Sequence, residues 1–276
     1  MSNPRMCPHC RAFIDPKSRI CEYCNEKIGE PSWKRPDPGQ ALGGFISARH
    51  FTTFIVLCIN FALFVATMVL TSKLQGGSLS LFGSIDGGAL VAFGAMERFR
   101  ILARDEWWRL VTAGFLHGGV LHVLMNSWVL FDLGAQVEEF YGTSRYVVIY
   151  VLSSVTGFLL SLFWSSGFSV GASAAACGLI GAMMAYGRRT GNSLIWKGYM
   201  RWAIMLLIFG LLVPMVDNAA HIGGFIGGFA IGYVAGTPRY GSPAESLWKA
   251  GAGFAILLVA ASFFFAYQLL SRALFS

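Results

Sequence analysis

This chain is short of charge. Asp, Glu, Lys and Arg together make up 13% of its 276 residues, against about 25% in an ordinary soluble domain. Acidic residues are the scarcer kind, 14 against 21 basic ones. Little of so apolar a sequence is suited to a water-facing surface, so continuous apolar stretches are the feature to look for. A cleavable leader is missing too: the first fifty residues are polar, hold paired cysteines and contain no apolar core segment. Targeting therefore falls to the first apolar stretch itself. Few ionisable groups lie within the apolar stretches, with Asp132 and Asp217 near their ends. That disfavours a transporter, which is expected to carry such groups near the bilayer midplane.

Seven apolar stretches are present, at 51–72, 112–134, 144–164, 173–187, 201–214, 218–236 and 249–271. Against a requirement of about 20 residues per span, the fourth and fifth are short and suit a bundle interior better than a lipid-facing position. The pattern predicts an all-α polytopic membrane protein with four regions: a small unit at 1–30, a Pro- and Gly-rich linker at 31–48, a membrane domain at 49–236, and a loop with one more span at 237–276. The net charge of +7 raises the question of nucleic acid. Lys34, Arg35, Arg49, Arg188, Arg189, Lys197, Arg201, Arg239 and Lys249 all fall on one side if the N-terminus is cytoplasmic, as the positive-inside rule favours. The charge then orients spans, no nucleic acid is expected, and the C-terminus lies outside. Segment 73–111 also falls outside, with Trp107 and Trp108 suited to the headgroup layer.

In the polar N-terminal unit, Cys7-Pro8-His9-Cys10 and Cys21-Glu22-Tyr23-Cys24 form two Cys-x2-Cys knuckles. Four thiolates at this spacing suit a tetrahedral structural Zn2+ site. A unit this small lacks an adequate apolar core, so metal would supply its folding energy. Paired disulfides are the other reading, disfavoured on a reducing cytoplasmic side. The unit resembles the short zinc ribbons at the termini of bacterial membrane proteins, and a protein partner for it is open.

Two polar residues stand inside apolar stretches. Ser173 lies in Gly171-Ala172-Ser173-Ala174, and His221 in Ala220-His221-Ile222-Gly223-Gly224. A histidine at such depth is a functional candidate by default, and a nearby serine would make a nucleophile–base pair. Gly224, Gly228 and Gly232 recur every four residues and leave one helix face bare, so a neighbour can approach closely. Gly171, Gly178 and Gly181 form a similar face on the serine's helix. If the two helices pack through these faces, serine and histidine meet at similar depth. His122 and Asn126, four apart, share a helical face and offer hydrogen-bond donors. Those donors suit a developing oxyanion or act as polar glue between helices. A metal site from His117, His122 and His221 ranks lower, since it has no carboxylate or cysteine beside it.

These residues together resemble the rhomboid intramembrane serine proteases. Gly171-Ala172-Ser173 is similar to the family's nucleophile motif, and Ala220-His221 with Gly224 and Gly228 to its histidine motif. His122 and Asn126 match its His-x3-Asn, and Trp108-Arg109 its Trp-Arg pair. The resemblance covers residues 50–236 in the family's order. It implies a six-helix core, here with an extra C-terminal span, and a Ser173–His221 dyad that needs no cofactor for catalysis. It also implies an oxyanion site from the Ser173 amide, His122 and Asn126, with His117, Trp108 and Arg109 as structural residues around the site. The implied substrate is a transmembrane protein whose helix unwinds locally at small residues. The implied place is a bacterial-type inner or plasma membrane.

Two positions depart from the family. Ala174 stands where glycine is common, and its methyl group threatens to crowd the oxyanion site. Cys177 stands where an aromatic ring usually stacks on the histidine, leaving Phe225 as a candidate ring. The alternative is therefore a catalytically inactive rhomboid-like protein that binds transmembrane helices.

Overall fold

A computed structural model describes residues 5–7, 12–15, 17–24, 28, 51–77, 83–164, 167–238 and 242–275. The linker at 31–48 and Cys10 lie outside the described residues.

In the N-terminal unit, β1 (Arg5–Met6) pairs antiparallel with β2 (Phe13–Ile14). Cys7, Ile14, Cys21 and Ile28 are buried together. The unit holds its thiols at the centre of this small cluster.

The remainder is helical. α1 (Phe51–Leu74) is followed by three short helices, α2 (Gly87–Phe93), α3 (Arg98–Arg104) and α4 (Arg109–Thr112). Next come α5 (Val120–Trp164), α6 (Ser173–Arg189), α7 (Ser193–Leu212), α8 (Asn218–Ala235) and α9 (Pro243–Phe275). α1, α5, α7 and residues 243–272 of α9 are each long and apolar enough to cross a membrane. α5 is two arms broken at Gly142, whose φ of 74° belongs to the left-handed region where glycine is at ease.

α6 is the centre of the molecule. Fourteen of its residues, from Ala174 to Gly187, are buried, packed against α5, α7 and above all α8. The contact with α8 is made through backbone. A Cβ added at Gly224 would strike the Ala174 main chain, one at Gly228 the Gly178 main chain, and one at Gly232 the Ala182 Cα at 2.8 Å. The three pairs step together by four residues, so α6 and α8 run parallel with a constant offset of fifty. Tyr141 of α5 ties both, donating its hydroxyl to the carbonyls of Ala182 at 2.7 Å and Gly232 at 3.2 Å. In a membrane such buried bonds and bare backbone contacts stand in for the hydrophobic drive that lipid does not supply.

The expected interior position of the fourth stretch agrees with α6. The fifth needs correction. It is not a short interior segment at 201–214 but the twenty-residue α7, and its only buried residue is Gly210. Asn192 accepts from the amides of Leu194 and Ile195 and starts the helix a full two turns earlier. The second stretch is also corrected, since its helix begins at Val120 rather than 112. Gly118 and Gly119 are drawn into pairing with residues 84 and 85: Ile85 N–H donates to Gly118 O at 2.9 Å, and Ser84 bridges Gly119. His117 therefore precedes the helix instead of lying on it.

α9 packs mainly on α5. Arg145 of α5, buried, makes two bonds of 2.8 Å to Glu245 and donates to Ala235 O at 3.2 Å. One guanidinium thus joins α5, the end of α8 and the start of α9. That fork geometry is why an arginine rather than a lysine suits the position.

Candidate active site

The fifty-residue offset decides where the two sequence candidates stand. It puts the first turns of the two parallel helices, which carry Ser173 and His221, at the same end of the bundle. Ser173 is the first residue of α6 and is half-buried, while His221 lies in the first turn of α8 and is buried. Gly171 has φ +136°, a conformation a side chain would resist, and its amide donates to Ala113 O at 3.0 Å. A Cβ built there would lie 2.7 Å from His122 Nε2 and 3.5 Å from Ser173 Oγ. The missing side chain at Gly171 is therefore the space in which His122 and the serine hydroxyl converge.

His122 is oriented from behind. Its Nδ1 accepts from the Gly118 amide at 3.3 Å, which assigns the proton of the neutral ring to Nε2. That N–H is the atom nearest the Gly171 gap. His117, fully buried, packs edge-on against the His122 ring with centroids 5.2 Å apart. Asn126 sits one turn further along α5, buried, with a side-chain Nδ2 that has no hydrogen-bond partner. His221 Nδ1 is likewise buried without a partner. Asn126 and His221 thus keep buried hydrogen-bonding capacity to spare, and buried capacity of this kind calls for an explanation.

The loop beside the site hangs on Arg109. Its Nε donates to Glu106 at 2.5 Å and its Nη1 to the carbonyls of Val91 at 2.6 Å and Ala95 at 3.1 Å, while the guanidinium lies over the Trp108 ring at 4.6 Å. Burial pulls this guanidinium below its ordinary pKa, and the bond and charge of Glu106 pull the other way. Thr112 donates to Gly94 O at 2.6 Å. β3 (Met96–Glu97) then pairs with β4 (Phe168–Ser169), four residues before Ser173. Trp108 and Arg109 thus brace residues 91–95, just before the strand β3 that pairs with β4 ahead of the serine.

Sequence reasoning missed Glu106 and the part played by Asp217. Glu106 is i,i+3 from Arg109, a spacing that was available to read. Asp217 caps α8 by accepting from the Ala220 amide at 3.0 Å and also accepts from the Ser161 hydroxyl. It stands one turn before His221. An Asp just before a histidine-bearing helix was the signal for a cap.

The two departures now have positions. The Ala174 methyl is fully buried beside Gly157, in the seam between α5, α6 and α8, and fills a helix contact rather than an anion site. Cys177 lines an apolar cavity of about 450 Å3 together with His221 and Phe225. Phe225 stacks on Phe229 at 6.5 Å, and among the described residues no ring stacks on His221. Of the sequence-predicted metal ligands, Cys7, Cys21 and Cys24 come together, with ligand atoms all within 4.8 Å of one another. The three histidines form no such group among the described residues.

Residues 104–238 match the Rhomboid domain. The chain is similar to "Rhomboid protease GluP" of Bacillus subtilis (strain 168), 36% identical over 171 residues that cover 60% of this chain and 32% of that protein. It is also similar to two Arabidopsis thaliana proteins. RHOMBOID-like protein 4 is 38% identical over 49% of this chain and 36% of its own length, and RHOMBOID-like protein 1 is 39% identical over 53% and 39%. The chain thus spans about a third of the length of these relatives. With its apolar spans it is an integral membrane protein, and its residues 104–238 carry a Rhomboid domain.

Proposed function

We propose that this chain is an intramembrane serine endopeptidase that cleaves transmembrane-helix substrates with a Ser173–His221 dyad. The observation that supports this reading is the Gly171 gap, where His122 Nε2 and Ser173 Oγ converge, together with the parallel backbone contact of α6 and α8, whose first turns carry Ser173 and His221. Ser173 Oγ attacks the scissile carbonyl carbon while His221 accepts the hydroxyl proton. The tetrahedral oxyanion is held by the Ser173 amide, His122 Nε2–H and Asn126 Nδ2–H. The His221 imidazolium returns the proton to the leaving amine. Water, deprotonated by the same imidazole, then hydrolyses the acyl-serine. A relative named as a protease supports the reading.

The experiment is cleavage of a model transmembrane substrate in liposomes alongside fluorophosphonate labelling. Wild type cleaves and labels; Ser173→Ala and His221→Ala do neither. A folded wild type that neither labels nor cleaves supports the second reading, an inactive rhomboid-like protein that binds transmembrane helices. The missing ring behind His221 is the feature that favours this second reading.

The N-terminal unit, in our reading, holds a structural Zn2+ through Cys7, Cys10, Cys21 and Cys24. Zn–S bonds of about 2.3 Å in a tetrahedron put sulfurs about 3.8 Å apart, and Cys7 Sγ stands 3.8 Å from Cys24 Sγ. The positive-inside pattern places this unit in the cytoplasm and the C-terminus outside.

A further inference from the structure

The cavity beside His221 extends well beyond the dyad. It runs between α6, α7 and α8, walled by Cys177, Ile180 and Met184, by Trp196 through Leu207 on α7, and by His221 through Phe229 on α8. Eleven steps along α7, from Trp196 to Leu207, at 1.5 Å rise make it about 16 Å long. Its wall is apolar save for His221 at the outer end. Ile204, Leu207 and Ile222 line it and are exposed as well, so it opens sideways onto whatever surrounds the apolar helices, which in a bilayer is hydrocarbon.

The inner end is charged. The Arg188 guanidinium lies over the Trp196 ring at 6.0 Å. Lys197 and Arg201 follow the lining residues Trp196 and Met200 and are one turn apart on α7. All three basic residues are exposed, and among the described residues none makes an ion pair. The three helices that line the crevice hold no Asp or Glu of their own.

We infer that this crevice binds an anionic phospholipid. Its headgroup sits among Arg188, Lys197 and Arg201, and one acyl chain lies along α7 with its end against the wall that carries His221. An apolar wall by itself does not choose between lipids, since every acyl chain is equally apolar. The choice falls to the basic mouth, where each basic residue near an anionic surface is worth roughly a fivefold preference. A bound chain also fills the gap beside α7, which packs sparsely on α8.

The test uses the full chain in nanodiscs and does not depend on proteolysis. Phosphatidylglycerol or phosphatidylcholine carrying a diazirine at the end of one acyl chain is photoactivated, and labelled peptides are mapped by mass spectrometry. Ser173→Ala protein is run beside wild type. Phosphatidylglycerol is expected to label peptides from 196–207 and 221–229 at least tenfold above its labelling of α1, in both proteins. Phosphatidylcholine should label crevice and α1 alike. Replacing Arg188, Lys197 and Arg201 by Ala, all at exposed positions, reduces crevice labelling to the phosphatidylcholine level. Ala203→Trp plugs the crevice and removes that labelling while α1 is labelled as before. Equal crevice labelling by the two lipids, or labelling indifferent to loss of the three basic residues, overturns the inference whether or not the protein cleaves substrates.

Discussion

Gly224→Ala tests the geometric basis of the proposed dyad. The added methyl carbon would lie 2.9 Å from the Ala174 carbonyl carbon and 3.2 Å from its Cα, with the carbonyl oxygen closer than either. Carbon atoms pack comfortably at about 3.5–4.0 Å, so α6 and α8 must separate by at least about 0.6 Å, and by more to clear the oxygen. All three obstacles are backbone, so no rotamer change relieves them. Gly224 is three residues from His221, and Ala174 adjoins Ser173. The displacement therefore falls between the two reacting groups. A misplacement of about 1 Å costs on the order of 10²-fold in rate, and overpacking costs about 1–3 kcal/mol in stability. Cleavage of a liposome-embedded substrate is expected to fall about 10²-fold while thermal unfolding shows the protein still folded. Gly198→Ala is the control: nothing lies within 4 Å of its Cβ position on α7, so activity stays at wild type. Wild-type cleavage by Gly224→Ala, with Ser173→Ala inactive, would refute the claim that this backbone contact sets the dyad.

Three further outcomes are expected. Arg109→Ala leaves buried Glu106 with only the longer Arg100 contact at 3.7 Å and frees the carbonyls of Val91 and Ala95; a loss of about 3 kcal/mol in denaturant or thermal unfolding is expected. Asp217→Ala removes the α8 cap and costs about 1 kcal/mol, whereas Asp217→Asn, an equally good cap, leaves the unfolding midpoint nearly unchanged; equal losses in both would show that the carboxylate charge matters more than the cap. Purified wild type is expected to carry one zinc per chain by elemental analysis, and Cys21→Ser none; a metal-free wild type that stays folded in its N-terminal unit would count against the site.

Much of this chain could be read from residue order. The glycine repeat in α8 announced a close helix contact, because only small residues let backbones touch. Ser173 and His221 stood out as polar groups in apolar runs, and the paired cysteines by their spacing. Helix limits were harder. Hydropathy ran a span through 112–119, because it does not see the amide and carbonyl of residues 118–119 paying a debt to residues 84–85. It also began α7 too late, because Lys197 and Arg201 look like loop residues until the Asn192 cap is recognised. The depth of Arg109 and the identity of its acceptors were invisible, since Val91 and Ala95 contribute only carbonyls.

The amino-acid order alone determined which segments are apolar, which residues can carry chemistry, and which helix faces are bare. Those follow from local composition and helical period. Tertiary structure decided the fifty-residue offset between α6 and α8, the convergence on the Gly171 gap, the direction of the Ala174 methyl and the crevice beside α7. Each of these depends on how separate backbones interlock, and interlocking is fixed by distances across the fold that no local pattern records.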